Sequence, residues 1–159
     1  MRIALSADHA GYVLKQELAA KLAQQGHEVL DLGTHSAAPV DYPDSAEAVA
    51  TALRDQQAER GIIVCGSGAG VSIAASKFPG VRAAVCHDTY TAHQAVEHDD
   101  MNVLCLGARV VGPALAIEVA NAFLAASFSG EERHQRRLDK VTAIERRFAI
   151  SSSPSSRHA

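Results

Sequence analysis

Short apolar runs alternate with longer amphipathic stretches along the whole chain. Arg2–Ala7 (RIALSA) is apolar and ends at Asp8-His9-Ala10-Gly11. Val13, Leu14, Leu18 and Leu22 then recur at helical spacing until Gly26 punctuates the pattern. Glu28–Leu32 (EVLDL) predicts a second strand, and the two prolines between Gly33 and Pro43 predict a loop. Asp44-Ser45 suits the cap of a helix running to about Ala58. Gly61–Cys65 predicts a third strand, followed by a helix that starts inside a glycine loop and ends near Lys77-Phe78-Pro79-Gly80. Arg82–Cys86 predicts the fourth strand, Asp88 the cap of a helix over Thr89–Glu97, and Asn102–Leu106 the fifth strand. Pro113 suits the first turn of a helix reaching about Ser127, and Gly130 separates it from a charged amphipathic helix over Glu131–Phe148. The low-complexity stretch 151–159 (SSSPSSRHA) reads as a flexible tail.

Strands separated by helices predict an α/β fold: a five-stranded parallel sheet covered on both faces, joined by right-handed crossovers into a three-layer sandwich. Such sheets bind ligands at the carboxyl ends of their strands. That rule selects Asp8-His9, Cys65–Gly70, His87-Asp88 and Gly107–Arg109 before any chemistry is considered.

Composition narrows the function classes. With 159 residues, 47% hydrophobic and 21% charged, the chain suits one globular domain, taken here as residues 1–150. A net charge of −3 and the absence of tryptophan argue against a nucleic-acid surface. No apolar run suits a bilayer span, and the N-terminus is too quickly polar for a signal peptide. The three widely spaced cysteines form neither a CxxC motif nor a disulfide framework. A reduced, cytoplasmic protein is expected, bound to neither membrane nor nucleic acid.

The stretch IIVCGSGAGVSI carries the sharpest chemical signal. Gly66, Gly68 and Gly70 let the backbone approach a ligand with its amides turned inward, which suits a phosphate or a reaction oxyanion. The loop matches neither the dinucleotide fingerprint nor a P-loop, and a tight turn built for packing explains it as well. Cys65 shifts that balance, because a thiol at a strand tip before a helix N-terminus readily becomes a thiolate nucleophile or base. Cys86 and Cys105 sit inside apolar strands and are expected to be plain core residues. Asp8 and His9 suit proton handling and phosphate contact, although Asp8 could simply cap the following helix. Arg133 and Arg137 are four apart and share a helix face, where two guanidiniums suit a phosphate dianion; a solvated charged face is the ordinary alternative. His98, in HDDMN, falls near the N-terminal edge of the fifth strand, away from its own strand tips; service to a neighbouring subunit and an ordinary helix-ending loop are the two readings. The eight histidines make no metal-binding constellation.

Taken in order, SDHAG, DYPD, CGSGAGVSIAASKFPGVRAAVC, HDDMNVLCLGARVVG and RHQRR resemble ribose-5-phosphate isomerase B, over Arg2 to about Arg147. The same group includes allose-6-phosphate and galactose-6-phosphate isomerases. The resemblance implies a Rossmann-like α/β/α sandwich and a homodimer with shared active sites, its last helix packing on the partner; pairing into tetramers is left open. It also implies interconversion of ribose 5-phosphate and ribulose 5-phosphate through a cis-enediolate, with neither metal nor organic cofactor. By position it makes Cys65 the base and Gly66–Gly70 the oxyanion site, with Ser67 assisting at the reacting oxygens. It links Asp8 and His98 to proton handling and ring opening, and His9, Arg133 and Arg137 to the phosphate, with Arg109 contributing. Tyr42 matches a substrate-contacting tyrosine. Where the family usually reads His-Asn-Asp, this chain reads His98-Asp99-Asp100, replacing an amide donor by a carboxylate that cannot donate when ionised. That departure favours, as alternatives, an isomerase of another phosphosugar such as allose 6-phosphate or a tetrulose phosphate. A non-catalytic phosphate- or nucleotide-binding module is a further alternative; thiol redox chemistry is the weakest, as no resolving cysteine is near in sequence.

Overall fold

The computed structural model describes residues 1–149; residue 150 and the 151–159 tail lie outside the described residues. Five strands run in parallel: β1 (Arg2–Ala7), β2 (Glu28–Asp31), β3 (Arg60–Cys65), β4 (Ala83–Val85) and β5 (Val103–Gly107). Their order across the sheet is β2-β1-β3-β5-β4. The helices are α1 (Tyr12–Gln24), α2 (Tyr42–Arg54), α3 (Ala69–Ala75), α4 (Thr89–Asp99), α5 (Pro113–Ala125) and α6 (Glu132–Ala149). The expected three-layer sandwich is therefore the observed fold.

The strands are apolar on both sides because helices cover both faces. On one face Leu14, Leu18 and Leu22 of α1 join Val96 of α4 and Phe123 of α5 over Ile3, Leu5, Ile62 and Leu104. On the other, Val49 of α2 and Val71 of α3 pack over Ala4, Ile63, Val103 and Cys105. Arg60 ties the sheet to the end of α5, donating to the carbonyls of Phe123 and Ala126 while its guanidinium lies over the Phe123 ring. Lys15 is fully buried on α1 and pairs with Asp31 at the end of β2, whose Oδ1 also accepts the Gly33 amide. Burial alone would raise the Asp31 pKa; the Lys15 bond and the Gly33 amide outweigh it, and the carboxyl sits below its usual range.

The boundaries of the second helix differ most from the sequence expectation. The second helix begins at Tyr42 rather than Asp44, because Pro43 fits its first turn and Asp41 takes the cap position. It ends at Arg54 rather than Ala58, where the chain turns through a left-handed Gln56. The earlier start carries Tyr42 into the helix rather than leaving it in a loop.

Candidate active site

The order of β2-β1-β3 makes the crevice between β1 and β3 a switch point, where the chain leaves adjacent strands in opposite directions. Asp8 and Cys65 occupy the two rims of that crevice. The Asp8 amide donates to the Val64 carbonyl at 3.1 Å, stitching the two strand tips together. Gly11 is required beside them, since a Cβ there would lie 2.4 Å from the Val64 carbonyl oxygen.

Cys65 ends β3 with only 5% of its surface exposed. Its Sγ accepts the Gly68 amide at 3.0 Å, so the loop curls back over the sulfur. Gly68 adopts φ +83°, a left-handed turn that favours glycine, and this turn aims the amide inward. Among the described residues the first-turn amides of Gly70 and Val71 have no acceptor, leaving donors beside the thiol. Ser67 is exposed on the outside of the turn, its Oγ accepting the Ala69 amide at 3.3 Å. Arg109 lies over Gly66, where an added Cβ would meet the guanidinium at 3.7 Å. The Tyr42 ring covers Gly70 in the same way, at 3.1 Å. His87 supports the floor by accepting the Gly107 amide on Nε2 at 3.0 Å.

The other cysteines behave as core. Burial, with the Asp88 charge second, pushes the Cys86 thiol up to about 11, and burial raises Cys105 further. Neither is a thiolate near neutrality.

Asp8 is buried, and its Oδ1 accepts the amides of Ala10 and Gly11 at 2.9 and 3.0 Å. Both amides belong to the turn before α1, whose cap position, Gly11, receives no side-chain bond, so Asp8 holds that turn rather than capping the helix, and its Oδ2 makes no hydrogen bond among the described residues. His9 is exposed, with Nδ1 3.3 Å from both the amide nitrogen and the carbonyl oxygen of Val40. A cleft of about 270 Å³, lined by Gly33, Thr34, His35, Val40 and Asp41, opens beside it.

The structure does not bring His98, Asp99, Arg133 and Arg137 to this crevice. The helix α4 starts at the carboxyl end of the sheet and runs about 16 Å back towards its amino end, where His98 sits. There His98 stacks on His134 of α6, ring centroids 4.1 Å apart. His134 is buried, with Ser129 Oγ 2.6 Å from its Nδ1. Burial first, then the neighbouring His98 and Arg133, hold the His134 pKa below the usual imidazole range. Asp99 and Arg137 both line a groove of about 560 Å³ between β4, α4 and α6. Arg133 is exposed and pairs with Glu131 at 2.8 Å. Arg82 holds the end of α4, bonding the Asp100 carbonyl at 2.5 Å and its carboxylate at 2.6 Å.

His87 falls where the strand-tip rule placed it, whereas His134, Gln94 and Arg82 were not singled out from the sequence. The spacing of four between Gln94 and His98 was the available signal for one of them. The contacts of the others join distant segments.

No helix among the described residues is long and apolar enough to cross a membrane, and no group of three or more ligating side chains there could hold a metal ion. The chain is 47% identical over 146 residues to ribose-5-phosphate isomerase B of Escherichia coli strain K12, covering 92% of this chain and 97% of that protein. It is 43% identical over 132 residues to D-erythrulose-4-phosphate isomerase of Pectobacterium atrosepticum, covering 82% and 86%. The solved structure of Clostridium thermocellum ribose-5-phosphate isomerase B superposes with a TM-score of 0.91 at 47% identity, covering 93% of this chain and 99% of that one. The order of motifs around Cys65 and the sheet that presents them agree with the match of residues 3–141 to one family model, and the chain belongs to the Ribose/Galactose Isomerase family.

Proposed function

We propose that this protein is an aldose–ketose isomerase that interconverts ribose 5-phosphate and ribulose 5-phosphate, with Cys65 as the base. The observation that carries the reading is the Cys65 sulfur at a switch-point crevice, accepting the Gly68 amide of the glycine loop at 3.0 Å. Isomerisation beside a carbonyl needs a base to move a proton between C1 and C2, and donors to hold the enediolate oxygens. The Cys65 thiolate removes the C2 proton of the open-chain aldose and returns a proton to C1. The amides of Gly66–Gly70, with Ser67, hold the two oxygens meanwhile. Tyr42 and Arg109, which close over Gly70 and Gly66, flank the sugar.

The aldose arrives as a ring, and opening moves one proton from the anomeric hydroxyl to the ring oxygen as the C1–O bond breaks and C1=O forms. Asp8, through its uncommitted Oδ2, receives the first proton and passes it on; His98 faces the ring oxygen. His9, Arg133 and Arg137 hold the phosphate, whose binding energy orients C1 and C2 against Cys65.

This assignment requires two copies of the chain. His98, Asp99, Arg133 and Arg137 lie at the opposite end of the sheet from Cys65, so they serve the crevice of a second copy. The half-exposed Val141 and Ile144 of α6 and the open outer edge of β4 support such a contact. The test is Cys65→Ala assayed with ribose 5-phosphate in both directions. Loss of about a hundredfold to ten-thousandfold is expected; near-normal turnover would remove the thiol from the chemistry.

One observation favours a second reading, an isomerase of another phosphosugar. Asp99 brings a carboxylate into the groove that also carries Arg137, where an ionised group accepts but cannot donate. A substrate panel of ribose 5-phosphate, allose 6-phosphate and a tetrulose 4-phosphate, run on wild type and Asp99→Asn, separates the two. Clear preference of wild type for ribose 5-phosphate ends this second reading.

A further inference from the structure

Two imidazoles lie face to face at the junction of α4 and α6, and each has its Nδ1 engaged by a neighbour. Gln94, one turn before His98 on α4, places its amide Nε2 2.7 Å from His98 Nδ1. With the Gln94 amide in this orientation its NH₂ donates and Nδ1 accepts, which places the proton of the uncharged ring on Nε2. The surroundings of Nε2 agree: its nearest charged partner is a Glu97 carboxylate oxygen at 3.9 Å, an acceptor that a bare nitrogen lone pair would repel. His134 has a different neighbour: Ser129 Oγ accepts the Glu131 amide at 3.2 Å and lies 2.6 Å from His134 Nδ1, where a hydroxyl pairs with either tautomer. At the 4.1 Å stacking distance two imidazolium faces would repel, so the pair does not carry two charges at once.

We propose that Gln94 is a positioning residue that fixes His98 as its Nε2–H tautomer, so that His98 meets the substrate's ring oxygen as an uncharged hydrogen-bond donor. Charge develops on that oxygen as the C1–O bond breaks. An Nε2–H donor answers it without giving up its proton; the proton that the oxygen finally takes is the one Asp8 received from the anomeric hydroxyl. The ring thus polarises the bond, and its tautomer, rather than its charge, is what Gln94 controls. The inference rests on the reading of His98 as a ring-opening residue in the site of a second copy.

The test uses the full-length protein labelled with nitrogen-15 on histidine, with His98→Ala to assign the signal. At about pH 8, where imidazoles are ordinarily uncharged, wild-type His98 is expected as the Nε2–H tautomer. Gln94→Leu should leave a mixture of tautomers. Gln94→Glu should move the proton to Nδ1, because a carboxylate only accepts. Kinetics supply the second readout. Ribulose 5-phosphate has no free 5-hydroxyl and stays acyclic, so exchange of its C1 hydrogen with deuterated water needs Cys65 but no ring opening. Gln94→Glu should lower turnover of ribose 5-phosphate about tenfold while this exchange stays within about twofold of wild type. A wild-type His98 protonated on Nδ1, a tautomer that neither variant moves, or undiminished turnover in Gln94→Glu would each overturn the proposal. Undiminished ribose 5-phosphate turnover in His98→Ala would instead overturn the underlying reading of His98, whatever the tautomer.

Discussion

The crevice at β1 and β3 and the histidine pair at α4 and α6 are built on opposite plans. The first is made by backbone: strand tips, a glycine turn and amides arranged around one buried sulfur. Its geometry follows from local chain conformation and is complete within one chain. The second is made by side chains from distant segments: a stack of two rings, an arginine clamp on a helix end and a glutamine one turn away. His134 is buried in it, while 31% of the His98 side chain stays accessible. Under the proposed function, the contrast means that the half of the site that handles carbon is preassembled, whereas the half that would handle the ring and the phosphate would work only on association.

The strongest blow to the contrast is a charge placed on α6. Ile144→Asp combined with Val141→Asp puts carboxylates on half-exposed apolar positions of the proposed contact. Activity measured at low protein concentration should fall at least about a hundredfold, since the acid–base groups of one half are lost to the other. Sedimentation should show monomers with an unchanged circular dichroism spectrum. Full activity from a monomer would break the comparison.

Next comes the backbone of the crevice. Gly11→Ala sets a Cβ 2.4 Å from the Val64 carbonyl oxygen, and rigid neighbours cannot yield. Thermal unfolding should show a loss of about 1–3 kcal/mol, with reduced turnover because Asp8 and Cys65 move apart. A comparable effect on stability, without the loss of turnover, is expected at the Lys15–Asp31 pair, which anchors the loop after β2. The folded Asp31 carboxyl titrates below its unfolded value, so its contribution is complete above about pH 4 and is lost as pH falls through the folded pKa. Lys15→Met should therefore be less stable than wild type at pH 7, by about 1–3 kcal/mol, and the gap should narrow in acid. Water still reaches 31% of the Asp31 side chain, which keeps the effect below that of a sealed pair. The mildest test is Cys86→Ser with Cys105→Ser, which should leave turnover near wild type, because neither thiol ionises near neutrality.

The same contrast explains what the sequence made legible. The strands, α1 and the Asp88 cap of α4 follow from apolar periodicity and short-range punctuation, and all appear where expected. The Cys65 loop was readable because its glycines, its thiol and the strand before it are contiguous. The start of α2 was missed because Pro43 reads as a loop breaker, yet it is compatible with a first turn. His134 could not be given a role from the sequence, since its partner His98 is 36 residues away, counted as 134 minus 98. Arg82 clamps Asp100 through a fold that juxtaposes β4 with the end of α4, and no local pattern announces it. The separation of His98 from Cys65 was legible, because a helix between parallel strands must return to the starting edge.

The central claim is that each working site takes its sulfur from one copy and its His98 from another. Mixing two separately inactive variants, Cys65→Ala and His98→Ala, after reversible dissociation tests it most directly. Each mixed dimer would hold one site with both groups intact, and random pairing should restore about a quarter of wild-type activity. A mixture that stays inactive, although both variants are folded and exchange subunits, would contradict the account.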